Sequence, residues 1–137
     1  MGHDVQRRLR VSPDLGTLTL LVDDFLLPNG LAFSPDESVL YINDSRRRHI
    51  RAFDVAPNGT LAKQSDRVFV DLGGAESGVP DGMKVDVAGN VFCGQPATTN
   101  MGFGGDDWKT PFFTNRDRLG SVNVKIAGVP VPVAKKA

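Results

Sequence analysis

The feature that most constrains this chain is an internal repeat. The stretch Pro28-Asn29-Gly30-Leu31-Ala32-Phe33-Ser34, followed by Leu40-Tyr41, returns 52 residues later as Pro80-Asp81-Gly82-Met83-Lys84-Val85-Asp86, followed by Val91-Phe92. A looser third copy is Asn100-Met101-Gly102-Phe103-Gly104, followed by Phe112-Phe113-Thr114. Periods of about 40 to 50 residues that hold four short strands each are produced by propeller blades, which bury their faces only by stacking on one another. The local pattern agrees. Short apolar runs alternate with turn residues, and fifteen Gly with nine Pro leave no long helical period. This is an all-β rhythm, with strands expected near 8–11, 18–22, 31–34, 39–42, 50–55, 68–71, 83–86, 90–93, 111–114 and 121–126. Turns are expected at Ser12-Pro13-Asp14, Ser34-Pro35-Asp36, Ala56-Pro57-Asn58-Gly59 and Ala88-Gly89.

The third copy arrives too early. Asn100 follows Asp81 by 19 residues, where the first interval was 52. The outer half of one blade is therefore expected to be missing, and the fold expected is a partial β-propeller of about two and a half blades. It would span residues 1–128, with a disordered tail over 129–137. Residues 31–71 would form one complete four-stranded blade, preceded by two strands of another. So short a stretch leaves apolar faces and strand edges open. Poor autonomous stability is expected unless the chain self-associates through its unpaired blade edges or belongs to a longer product.

Composition excludes several function classes. The 137 residues are 40% hydrophobic and 23% charged, as in a soluble globular protein. Sixteen basic residues balance sixteen acidic ones, so no net field draws the chain to nucleic acid or an anionic membrane. The longest apolar stretches, 18–22 and 129–134, fall far short of the roughly 20 residues of a bilayer span. The single cysteine, Cys93, excludes an internal disulfide, and with no apolar signal core at the N-terminus a cytoplasmic location is expected. Cys93 itself reads as a small buried thiol on a strand. His49 reads as a solvated strand end, and Arg46-Arg47-Arg48 as a solvated loop. Asn43-Asp44-Ser45 and Asn58-Gly59-Thr60, which have the form of glycosylation triplets, read better as turns.

Candidate chemistry lies in the repeat. Each clear copy puts an amide or a carboxylate, Asn29 or Asp81, before a glycine at the start of what should be an inner strand, facing the central channel. An amide oxygen and a carboxylate converging there suit a hard divalent cation, with Ca2+ the natural candidate. Asn-Gly and Asp-Gly are also hairpin-turn dipeptides, and the pattern alone leaves both readings open.

The motifs carry a resemblance as well. Residues 25–41, FLLPNGLAFSPDESVLY, then Asn43-Asp44-Ser45, then residues 50–55, and then residues 78–90, GVPDGMKVDVAGN, closely resemble the gluconolactonase, senescence marker protein (regucalcin) and luciferin-regenerating-enzyme family. The similarity runs from residue 8 to 93 and resumes from Thr99 to Gly128. The resemblance implies a six-bladed propeller with one catalytic divalent metal, Ca2+ or Zn2+, in its channel. It implies Asn29 and Asp81 as metal ligands, with Asp81 also the general base that opens a small-molecule lactone or ester. The family's glutamate ligand and a further channel asparagine have no counterpart here, which marks the chain as a truncated member. Asp44 is a candidate for the channel rim, with structural capping the alternative, and Asn100 a candidate from the last blade. Two other readings of function stand beside the enzyme: an inactive propeller fragment, and a β-rich binding module.

Overall fold

The computed structural model describes residues 5–75 and 77–131, and the last residues of the expected tail, 132–137, lie outside them. Eleven strands are present among the described residues. They are β1 (Gln6–Val11), β2 (Leu18–Phe25), β3 (Pro28–Phe33), β4 (Val39–Asp44), β5 (His49–Asp54), β6 (Arg67–Asp71), β7 (Met83–Val85), β8 (Val91–Cys93), β9 (Asn100–Gly104), β10 (Thr110–Thr114) and β11 (Leu119–Ser121). The helical content among the described residues is one 3-10 turn, Lys63–Ser65. All pairings are antiparallel and nearest-neighbour, giving sheets β1-β2, β3-β4-β5-β6, β7-β8 and β9-β10-β11. This is the succession of propeller blades: two strands of a first blade, one complete blade, one blade of two strands, and a three-stranded blade after it. The short second interval of the repeat therefore has a physical counterpart in the two-stranded β7-β8 sheet.

Two strand expectations need correction. The span 100–104, read only as a repeat copy, is a full strand whose ladder with β10 runs from Asn100↔Thr114 to Gly104↔Thr110. Its two glycines lower strand propensity, and the ladder overrides that local preference. The strand placed at 121–126 instead ends at Ser121. Beyond it, the N–H groups of Val122 and Val124 still reach β10 and its approach, bonding to the carbonyls of Pro111 and Lys109, and Asn123 Oδ1 accepts from Thr110 Oγ1. The chain then crosses back to β7, where Gly128 bridges Asp86 and the Val129 N–H lies 3.4 Å from the Val85 carbonyl.

The main core lies between the β1-β2 sheet and the complete blade. Phe25, Leu40, Ile42, Phe53 and Leu61 form it, with Leu21, Val22 and Val55 packed against it. The central strand β5 is buried on both faces from Ile50 to Phe53, and β4 buries Leu40, Ile42 and Asp44 on one face while Val39 and Tyr41 on the other are half-buried. Arg51 crosses this interface nearly buried. Its guanidinium bonds Asp24 of β2 at 2.8 Å and Asp66, and it lies 4.6 Å over the Phe25 ring and 5.0 Å over that of Phe53. Removed from water, the cation is compensated by both carboxylates and both ring faces. Further along the chain, Met83 and Val85 of β7 are buried, and Phe92 meets Phe103 edge-on at 5.5 Å between β8 and β9.

The outer surfaces are different. On β1-β2, the cross-strand pairs Leu9↔Leu20 and Val11↔Leu18 set four apolar side chains on one face, and all four are exposed.

Candidate functional site

Strands β3, β7 and β9 are the inner strands of successive blades, so their starting residues approach one another. Gly30 makes the first approach close. A Cβ there would lie within 3.0 Å of the Asp81 carbonyl oxygen and 3.0 Å from Asn43 Nδ2. Gly82 does the same one blade on, where a Cβ would fall within 3.0 Å of Asn100. The glycine of each repeat is thus required by the backbone or side chain of the next copy. Asn29, Asp81 and Asn100 consequently sit at the starts of three adjacent inner strands. The hairpin-turn reading of Asn29-Gly30 fails, because Pro28, Asn29 and Gly30 all belong to β3.

Two residues of β4 and its exit fasten the first two positions. The Asn43 side chain is fully buried; its Oδ1 accepts the Gly30 N–H at 3.1 Å, and its Nδ2 donates to the Asp81 carbonyl at 2.6 Å. Ser45, at 1% exposure, donates through Oγ to the Pro80 carbonyl at 2.5 Å and stands 3.5 Å from Asn29 Nδ2. These residues were not among the expected site residues. The signal available was three consecutive polar residues, Asn43-Asp44-Ser45, ending an apolar strand, and a turn explains that pattern equally well.

Asp44 takes the capping role. Its carboxylate is fully buried and accepts the backbone N–H groups of Leu26, Leu27, Arg46 and Arg47 at 2.8–3.1 Å. Burial alone would raise its pKa, but these four donors outweigh it and hold the group below the ordinary carboxylate range. The side chain anchors the β2-β3 and β4-β5 turns, the capping alternative of its two readings. Asn100 is exposed, and its Oδ1 accepts the Met101 N–H at 2.8 Å. Asp81 differs from the other acids near the core. Its carboxylate is half-buried and has no hydrogen-bond or ion-pair partner among the described residues, whereas Asp24, Asp44, Asp66 and Asp86 are all engaged.

Neighbouring groups are chemically quiet. Cys93 lies half-buried on β8, within 3.6 Å of Asn43 Nδ2, and burial pushes its thiol up, away from the reactive thiolate. His49 is half-buried at the start of β5, not solvated. Burial lowers its pKa, and its Nε2 has no hydrogen-bond partner among the described residues. Arg46 and Arg47 are exposed, in keeping with a solvated loop, while the side chains of Arg47 and Arg48 also donate to the carbonyls of Asp24 at 2.7 Å and Gly74 at 3.3 Å. Among the described residues no group of three or more His, Cys, Asp and Glu side chains gathers as a metal cluster, and no helix is long and apolar enough to cross a membrane. Two oxygen donors, Asn29 and Asp81, are a partial but chemically suitable set for a hard cation.

Comparison with known proteins supplies the context. Residues 2–102 match the model of the SMP-30/Gluconolactonase/LRE-like region. The chain is 40% identical over 94 residues to a gluconolactonase of Zymomonas mobilis, covering 64% of this chain and 26% of that protein. It is 27% identical over 143 residues to the lactonohydrolase oryH of Aspergillus oryzae, covering 87% and 29%. Among solved structures, a luciferin-regenerating enzyme superposes with a TM-score of 0.75 at 18% identity, covering 93% of this chain and 55% of that one. A gluconolactonase from Xanthomonas campestris gives 0.70 at 26%, covering 84% and 43%. The chain therefore spans between a quarter and a third of the length of these curated relatives and about half of the solved ones. With the repeat, the blade succession and the family match in agreement, this chain belongs to the SMP-30/gluconolactonase/LRE-like family and folds as part of its β-propeller.

Proposed function

We propose that this chain carries part of the catalytic centre of a metal-dependent lactone hydrolase, with Asn29 and Asp81 as ligands of one divalent cation, Ca2+ or Zn2+. The observation that carries the reading is the half-buried Asp81 carboxylate, without a hydrogen-bond or ion-pair partner among the described residues, on the segment that enters β7 and packs through its backbone against Gly30, the residue after Asn29. A carboxylate removed from water without a partner is costly, and a cation compensates it. The family's named enzymes, gluconolactonase and lactonohydrolase, are lactone hydrolases. A solved relative from Agrobacterium tumefaciens, regucalcin, is described as a calcium-binding protein. Bound there, a divalent cation supplies Lewis acidity at the lactone carbonyl and at a water molecule.

The chain's own groups then have defined tasks. Asn29 offers a neutral oxygen, which orients without changing charge. Asp81 takes a proton from the attacking water on one carboxylate oxygen while the water oxygen bonds to the carbonyl carbon. As the carbonyl re-forms, the ring C–O bond breaks and the leaving alkoxide takes from Asp81 the proton that the water gave it, so lactone and water become one hydroxy acid and the carboxylate is regenerated. An acceptor with no competing hydrogen bond suits the base, and Asp81 meets that condition among the described residues.

A non-catalytic propeller segment is the second reading, favoured by the single acidic residue in the proposed ligand pair and by the lack, among the described residues, of a group of three or more His, Cys, Asp and Glu side chains. The test is Ca2+-dependent thermal stabilisation with lactone hydrolysis followed by acid release, for the wild type and Asp81→Ala. The expectation is a raised midpoint and turnover in the wild type, both lost in the variant. A midpoint indifferent to millimolar Ca2+, with no turnover, supports the non-catalytic segment instead.

A further inference from the structure

The hydroxyl of Ser45 decides which end of the Asn29 amide faces a ligand, and this follows from counting protons. Ser45 Oγ lies 2.5 Å from the Pro80 carbonyl. A carbonyl only accepts, so the single hydroxyl proton is committed to that bond. What remains on Oγ is lone pairs. Asn29 approaches the same oxygen through its terminal amide, and of the two ends of an amide only the NH2 can meet a lone pair. The Oδ1 of Asn29 is therefore turned away from Ser45 and left available. Because Pro80 immediately precedes Asp81, the bond that uses up the proton also ties the chain carrying the second ligand. Asn43 makes the parallel link one residue further on in each strand, from Gly30 to the Asp81 carbonyl.

We propose that Ser45 is a positioning residue for the divalent-cation site: it orients Asn29 so that Oδ1 is presented to the cation, and with Asn43 it holds the β3 and β7 ligands in register. The proposal rests on the metal-site reading above. It matches the general behaviour of ligands held by a second layer of hydrogen bonds, whose loss weakens metal binding by about 10- to 100-fold. A serine that merely joined two strands would affect stability and leave cation affinity unchanged.

The experiment is calorimetric titration of the full chain with Ca2+, alone and as Ser45→Ala, Ser45→Thr and Asp81→Ala, with the Ca2+-free thermal midpoint of each as a check on folding. The expected result is affinity weakened roughly tenfold or more in Ser45→Ala, near wild type in Ser45→Thr, which keeps the hydroxyl, and absent in Asp81→Ala. Folded Ser45→Ala with wild-type affinity, beside an Asp81→Ala that no longer binds, overturns the Ser45 proposal and leaves the site standing. A wild type that does not bind Ca2+, or an Asp81→Ala that binds normally, removes the metal-site reading and this proposal with it. Should Ser45→Ala not fold, the wild type decides by NMR. The Asn29 side-chain NH2, identified by its loss in Asn29→Asp and bonded to Ser45, should exchange with water more slowly than that of Asn58, which is likewise exposed and, among the described residues, engaged only through its oxygen. Equal exchange rates overturn the assignment.

Discussion

Replacing Gly30 by Ala tests the close approach of β3 and β7 on which the candidate site depends. Its backbone does not adopt a left-handed φ, so alanine fits the local conformation. Taken alone, the substitution should stabilise the chain by about 0.4–1 kcal/mol by restricting the unfolded state. The structure reverses that sign. The new methyl would fall within 3.0 Å of the Asp81 carbonyl, an atom of the backbone, and 3.0 Å from both Asn43 Nδ2 and Met83 Cγ. Asn43 and Met83 are buried, so neither can swing into solvent. Overpacking of this kind costs about 1–3 kcal/mol. Separating β7 from β3 also stretches the 2.6 Å bond from Asn43 to Asp81, and a buried amide left unsatisfied costs about 1–3 kcal/mol more. A net loss of about 3 kcal/mol corresponds to a fall in midpoint of roughly 10 °C for a chain of this size. Thermal and urea unfolding of Gly30→Ala would be measured beside Gly102→Ala, where a Cβ meets nothing within 4 Å and no loss is expected. A Gly30→Ala midpoint equal to or above the wild type would refute the interlocking of the two strands.

Two further outcomes follow from particular groups. Asp44→Asn replaces an acceptor of four backbone N–H groups with an amide that must turn one NH2 toward donors, at a cost of about 3 kcal/mol near neutral pH. Because the folded-state pKa of Asp44 is depressed, its contribution is complete above the unfolded value of about 3.9 and is lost as pH falls through the lower folded value. The stability gap between wild type and variant in urea should accordingly narrow below about pH 4, and a gap constant from pH 7 to pH 3 would contradict the capping role. Self-association is expected through the exposed Leu9, Val11, Leu18 and Leu20 face and the neighbouring open edges. Sedimentation velocity should show the wild type growing with concentration and the double variant Leu9→Lys, Leu20→Lys remaining monomeric; a wild type monomeric throughout would count against it.

The parts of this fold legible in the sequence were those fixed by side-chain period and turn chemistry. The complete blade over β3-β6 emerges from alternating apolar runs bounded by Ser34-Pro35-Asp36 and Ala56-Pro57-Asn58-Gly59, and the early third repeat gives the two-stranded blade. What stayed hidden depended on partners distant in the chain. β9 is a strand because β10 supplies its ladder, although its own glycines argue for a loop. The same applies to the site. Asn29 and Asp81 stand out because they repeat, whereas Asn43 and Ser45 occur once and gain their meaning only from bonds to residues 38 and 35 positions away. Asp44 is the reverse case: polar and close to Ser45 and Asn43 in sequence, yet turned inward to four N–H groups.

The short β7-β8 blade raises the question of whether missing outer strands disturb the site, and the geometry argues that they need not. The channel end of a propeller is formed by inner strands, here β3, β7 and β9, and the succession between them is intact. Gly30 is filled by Asp81 and Gly82 by Asn100 in the same manner, although the first pair is separated by a whole blade and the second by a two-stranded one. The loop after β8 returns the chain directly, so that the Gly82 N–H meets the Thr99 carbonyl at 2.9 Å and the Gly94 N–H the Gly82 carbonyl at 3.0 Å. Outer strands contribute burial at the periphery, where β6 leaves Val68 and Phe69 exposed. Their loss should therefore lower global stability far more than it displaces Asn29 from Asp81, and measurements of Ca2+ affinity and of unfolding should respond to different parts of this chain.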